Sequence, residues 1–146
     1  MKFMVINGPN LNMVGIQEPS VYGKKTYGEL LEMIREEAAR QNDEVTLLQS
    51  NHEGDLVDRI QRAYFDGYDG IVINPGGYTH TSVAIADAVK AVAPLPVVEV
   101  HISDVEKREE FRKISYLRPY CLATVAGYGF DGYLMAMRRI REHSGA

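Results

Sequence analysis

Five short apolar runs alternate with stretches of helical periodicity along the chain, and this alternation limits the fold more than any other feature of the sequence. The runs are Phe3 to Ile6, Val45 to Leu48, Gly70 to Ile73, Pro96 to Val100 and Leu122 to Ala126. Between the first two, Thr26-Tyr27-Gly28-Glu29 reads as a capping box, after which Leu30, Leu31, Ile34 and Ala38 share a helical face. Ser50-Asn51-His52-Glu53 repeats that pattern ahead of Leu56, Val57, Ile60 and Ala63. Thr81-Ser82 predicts the start of a helix bearing Val83, Ala86 and Val89, and Phe130 to Ile140 predicts a last helix.

Strands that alternate with helices pack as a parallel sheet covered on both faces. At 146 residues, the expected form is α/β: a flavodoxin-like doubly wound sheet of five parallel strands, order 2-1-3-4-5, in one domain over 1–146. Gly127-Tyr128-Gly129-Phe130-Asp131-Gly132 matches a dinucleotide-binding pattern. It lies in the final unit, with no later strand and no acidic residue about 20 positions on, so tight helix–strand packing is the better reading.

A net charge of −4 argues against nucleic acid, whose phosphates need a basic surface. No apolar stretch is long enough to span a membrane. Met1 to Ile6 runs directly into Asn7-Gly8-Pro9, so a buried strand is expected there rather than a secretory leader. The single cysteine, Cys121, excludes an internal disulfide and reads as a buried structural thiol; the expected compartment is the cytoplasm. The four histidines lack zinc-ligand spacing, so no metal is expected.

In doubly wound sheets, ligands bind beyond the carboxyl ends of the strands. Those ends carry Asn7-Gly8-Pro9-Asn10-Leu11-Asn12, Ser50 to Gly54, Asn74-Pro75-Gly76-Gly77-Tyr78-Thr79-His80-Thr81-Ser82, and Glu99 with His101-Ile102-Ser103. Each could be a plain turn or cap; their convergence on one crevice favours a small-molecule site. Glu99 and His101 alternate on a strand and so share a face. A carboxylate orients an imidazole and favours its charged form, which suits a general acid; a satisfied strand-end histidine is the plainer alternative. His80 either binds a hydroxyl or caps its turn. Gly15 to Gly23 forms a long loop of the kind that serves as a lid. Its Tyr22 could act as a base only with nearby cations, because an unperturbed tyrosine titrates near ~10. Arg108 and Arg112 either bind an anionic or hydroxyl-rich ligand or pair with neighbouring glutamates on a solvated helix face.

Together these segments resemble the type II dehydroquinases. The resemblance rests on Asn7 to Asn12, Glu18-Pro19, Tyr22-Gly23, Ser50 to Gly54, Asn74 to Ser82, Glu99 to Ser103, Arg108 to Arg112 and Ser115-Tyr116. It implies a cofactor-free anti elimination of water from 3-dehydroquinate, in shikimate synthesis or quinate breakdown. It implies Tyr22 as the tyrosinate base, Asn10 holding a water at the enolate, and His101, oriented by Glu99, protonating the leaving hydroxyl. Ser103, with the amides of Ile102 and Ser103, would bind the carboxylate. Asn74, His80 and Arg112 would bind ring hydroxyls, with Gly76 and Gly77 in the same binding turn. Asp87 would reach a neighbouring subunit's site in a homododecamer built from trimers.

The chain departs from the pattern at one important position. The family usually has arginine before Glu-Pro, where it supports the ionised tyrosine; this chain has Gln17. Arg108 remains, and Lys24, Lys25 and Arg118 are further candidate cations. Arg118 stands where serine is commoner, and Asp104 and Glu106 where Asn and His are commoner. Gln17 motivates an alternative: a catalytically weak or inactive member that binds a dehydroquinate-like ligand. A flavin carrier would need a hydroxyl- and glycine-rich phosphate loop after the first strand, and a receiver domain would need clustered aspartates where this chain has asparagines.

Overall fold

A computed structural model describes residues 1–16 and 25–145. The elements run β1 (Lys2–Asn7), α1 (Tyr27–Arg40), β2 (Glu44–Gln49), α2 (Glu53–Phe65), β3 (Gly70–Asn74), α3 (Val83–Ala91), β4 (Val97–His101), β5 (Ala123–Ala126) and α4 (Asp131–Ser144). The sheet is parallel throughout, in the order β2-β1-β3-β4-β5. This is the doubly wound arrangement expected from the alternation of elements.

Side-chain parity divides the core into two layers. Phe3, Val5, Val72, Val98 and Val100 face α1 and α4, packing with Leu30, Ile34, Tyr133 and Met137. Met4, Ile6, Ile71, Ile73 and Val97 face α2 and α3, packing with Leu56, Ile60, Ile85 and Val89. Glu99 and His101 share the parity of Val97, so the sheet aims both toward the second layer. Among the described residues no helix is long and apolar enough to cross a membrane.

The helix starts bear out two of the three sequence signals. Thr26 caps α1 by accepting from the Glu29 N–H, and Ser82 caps α3 by accepting from the Ile85 N–H. The Ser50 box does not form. His52 takes the N-cap position of α2, while Ser50 Oγ accepts from the His52 N–H and donates to Asp55 at 2.6 Å. Ser50 thus braces the turn ahead of the helix, two residues too early to cap it. Val83 also departs from expectation: as the first residue of α3 it projects past the core and is 60 % exposed. The glycine-rich run before α4 does serve packing. A Cβ on Gly132 would lie 3.2 Å from Val100 and 3.5 Å from Val125, so its absence lets α4 sit close on β4 and β5.

Far from the strand ends that carry the chemistry, Asp43 joins the chain's two extremities. Its side chain, 1 % exposed, pairs with Arg141, and it accepts from the Met1 nitrogen at 2.8 Å. Burial works against its ionisation, but the Arg141 and Met1 hydrogen bonds prevail and hold the carboxyl below the usual carboxylate range. A depressed folded-state value means stability that is present above about pH 4, where an unfolded aspartate ionises, and lost as pH falls through the folded value. Denaturant unfolding of Asp43→Asn should show a loss of about 1–3 kcal/mol at pH 7. The gap from the natural protein should narrow on acidification.

Candidate active site

The central strands β1 and β3 end side by side on buried asparagines, Asn7 opposite Asn74. Tyr133, fully buried on α4, reaches both: its hydroxyl donates to Asn7 Oδ1 at 2.6 Å and accepts from Asn74 Nδ2 at 3.1 Å. Asn7 Nδ2 donates onward to the Tyr27 hydroxyl at 3.3 Å, and Asn74 Oδ1 accepts from the Gly76 N–H at 3.1 Å. Burial pushes the Tyr133 hydroxyl well above its ordinary pKa, so it remains a neutral donor. Sequence reasoning missed Tyr133 and the supporting role of Asn7. The available signal was a tyrosine on the apolar stripe of the last helix, where a buried hydroxyl needs a partner.

The loops after these strands meet main chain to main chain. A Cβ on Gly8 would fall 2.5 Å from the Pro75 carbonyl oxygen. One on Gly76, at φ 60°, would fall 2.9 Å from that of Pro9. Only glycine allows the approach, and it opens a cleft of about 160 Å³ at the strand ends.

His101 lines that cleft, and Glu99 lies buried behind it. Glu99 is 0 % exposed. Its Oε2 accepts from His101 Nε2, and the Arg118 guanidinium stands 3.5 Å from the same oxygen; Ser115 Oγ donates to Oε1 at 2.9 Å. Burial would raise this carboxyl's pKa, but the His101 hydrogen bond and charge, the Arg118 charge and the Ser115 hydrogen bond together hold it below the usual range. Glu99 is therefore an ionised acceptor at neutral pH. It occupies Nε2 of His101 and leaves Nδ1 for a ligand.

The walls bring together most of the residues expected from sequence. Asn10, Asn74, Gly76, Gly77, His80, His101, Ile102, Ser103, Arg108 and Arg112 all line the cleft. His80 Nδ1 donates to the Ile114 carbonyl at 2.6 Å, and burial lowers its pKa. The ring is thus neutral at pH 7, with Nε2 available to accept from a hydroxyl. Arg108 and Arg112 do not sit on a helix face. Their segment folds as short 3-10 turns, Val105–Lys107 and Glu110–Lys113, which tip both arginines toward the cleft. Arg112 lines the cleft and at the same time pairs with Glu109 at 2.5 Å. Asn10 adopts the left-handed conformation, φ 69°, and its N–H donates to Asn51. Asp87 is exposed on α3, outside this cleft's lining. Gln17, Tyr22 and Lys24, with most of the expected lid, lie outside the described residues. Cys121 is half-buried and donates to the Leu117 carbonyl. Burial, aided by the Glu99 charge, pushes its thiol up to about 12, which suits a structural role and not a nucleophile.

With this geometry in place, the comparisons point one way. The family described as Dehydroquinase class II matches residues 1–141. A 3-dehydroquinate dehydratase from Clostridium beijerinckii is 51 % identical, over 96 % of this chain and 95 % of its own. The crystal structure of a type II dehydroquinase from Butyrivibrio crossotus superposes with a TM-score of 0.95 at 52 % identity, covering 97 % of each chain. That of the Propionibacterium acnes type II dehydroquinase gives 0.89 at 36 % identity, covering 94 % of this chain and 93 % of its own.

Removing the Tyr133 hydroxyl strands two buried amides at once. Tyr133→Phe should lower stability by about 1–3 kcal/mol in chemical denaturation, with secondary structure unchanged by circular dichroism. Loss of under about 0.5 kcal/mol, the range of an ordinary surface change, would mean the asparagines do not depend on it.

Proposed function

The chain belongs to the class II dehydroquinase family, and from this premise we propose that it is a 3-dehydroquinate dehydratase, a lyase that converts 3-dehydroquinate to 3-dehydroshikimate. The observation that carries the reading is the buried Glu99–His101 pair under a cleft lined by Asn10, Asn74, His80, Arg108 and Arg112. Relatives about half identical over nearly their whole length bear the dehydratase name. That disfavours the weak or inactive reading motivated by Gln17.

The elimination needs a base and an acid on opposite faces of the ring. Tyr22, as tyrosinate, takes the proton alpha to the ketone, and the electron pair moves onto the carbonyl oxygen as an enolate. A water held by Asn10 donates to that oxygen. The enolate then collapses and expels the hydroxyl, which leaves as water with a proton from His101. Glu99 fixes the imidazole through Nε2, so the transferred proton is the one on Nδ1. Fixing donor and substrate before the reaction removes the entropic cost of finding that geometry. Ser103, with the N–H groups of Ile102 and Ser103, takes the substrate carboxylate. His80 accepts from a ring hydroxyl through Nε2, while Arg112 and the second Nδ2 hydrogen of Asn74 donate to others; Gly76 and Gly77 bring backbone to the ring. Arg108 is the cation assigned to the Tyr22 phenolate in place of the arginine the family usually has at position 17. No cofactor takes part.

We place the enzyme in the cytoplasm, in shikimate synthesis or quinate breakdown. Its assembly is a homododecamer of trimers, with Asp87 on the exposed side of α3 reaching a neighbour's cleft. Sedimentation of the purified protein tests that assembly.

Activity is tested by adding 3-dehydroquinate and following the ultraviolet absorbance of the conjugated enone. The natural protein should give a clear rise, and His101→Asn should lower kcat by about a hundredfold or more while KM changes little. Gln17→Arg should raise kcat. Flat traces from folded natural protein and from Gln17→Arg alike would overturn the substrate assignment.

A further inference from the structure

Arg118 is the feature that the reaction just described leaves unused. It opens the 3-10 turn Arg118–Tyr120 on the way to β5, and its guanidinium lies 3.5 Å from Glu99 Oε2, the oxygen that also holds His101 Nε2. Its Nε is buried without a hydrogen-bond partner among the described residues. Leaving such a donor unpaired is costly, so the side chain is held there by its charge and not by hydrogen bonds alone.

That charge matters most when His101 gives up its proton. Before transfer, Glu99 faces an imidazolium. Afterwards it faces a neutral ring, and a carboxylate that is 0 % exposed would be left nearly uncompensated, the arrangement that low-dielectric interiors tolerate least. Among the described residues, five groups sense or face Glu99: His101 from its own strand, His80 from the turn after β3, Ser115 and Arg118 from the connection to β5, and Cys121 beyond it. Once His101 is neutral, Ser115 offers one neutral hydrogen bond, Cys121 holds its proton, and His80 is already neutral. Of these five, Arg118 alone keeps a positive charge, because a guanidinium does not deprotonate in proteins.

We infer that Arg118 is a positioning residue for proton transfer: through Glu99 it holds the His101 imidazole in place and stabilises the state in which that imidazole has lost its proton. The inference deepens the dehydratase reading and, for its catalytic arm, rests on it. Its structural arm, the ionisation of Glu99, does not.

The test follows the Glu99 carboxyl carbon by 13C NMR in glutamate-labelled protein, assigned with Glu99→Gln and titrated without substrate. In the natural protein Glu99 should titrate below the usual carboxylate range. In Arg118→Gln its midpoint should rise, and in Arg118→Lys it should return toward the natural curve. Arg118→Met, which keeps an unbranched stem without the charge, substitutes for the Gln variant if that one does not fold. With 3-dehydroquinate, loss of the cation should lower kcat roughly ten- to a hundredfold with a smaller change in KM. It should also move the acid limb of the kcat/KM profile upward; Lys should restore both. A purely structural arginine would lower activity alike at every pH. Superimposable Glu99 titrations of the natural and Arg118→Gln or Arg118→Met proteins would overturn the inference. A natural protein inert toward 3-dehydroquinate would instead sink the dehydratase reading, leaving the titration to decide the role of Arg118.

Discussion

One buried hydroxyl, that of Tyr133, ties the carboxyl ends of the two central strands to the last helix. It meets Asn7 and Asn74 at the point where the sheet stops and the loops begin. Both amides are buried, so each depends on a partner brought from far along the chain. The network continues into the Gly76 N–H, and that bond sets the turn bearing His80. The cleft's geometry thus descends from a helix that contributes no side chain to its lining. Such indirect support is what keeps reacting groups within fractions of an ångström of a productive pose.

The protein spends its buried charge in two different ways. Asp43 joins chain extremities and is paired by Arg141 and the Met1 nitrogen, so its work is finished once the fold has closed. Glu99 is equally enclosed but is paired by a histidine whose charge changes during the reaction. A pair of fixed charges and a pair with one variable member place different demands on their surroundings. The second needs a reserve of positive potential that does not titrate, and a guanidinium supplies it.

The fold was legible because alternation of elements is a property of whole segments and survives local errors. The caps at Thr26 and Ser82 were legible for the same local reason that Ser50 misled: serine before an apolar helix serves several turn geometries, and only tertiary context selects among them. Glu99 and His101 could be paired because two residues on one strand share a face whatever surrounds them. Arg118 could not be paired with Glu99, because the intervening chain runs through 3-10 turns whose direction no periodicity encodes. Arg108 and Arg112 were read against a regular helix that never forms, which obscured their approach to the cleft. Tyr133 was hidden because an aromatic on an apolar stripe looks the same whether or not its hydroxyl has work to do.

Gly8 and Gly76 carry one more consequence. The obstacles that would meet a side chain at either position are carbonyl oxygens of the opposite loop, so no change of side chain across the gap can make room. The outline of the cleft is therefore drawn in main chain, while its electrostatics are drawn in side chains mounted on that outline. The two can evolve at different speeds. A lineage can gain or lose an arginine such as Arg118 behind the wall, shifting where positive charge sits, without redrawing the vessel in which the chemistry happens.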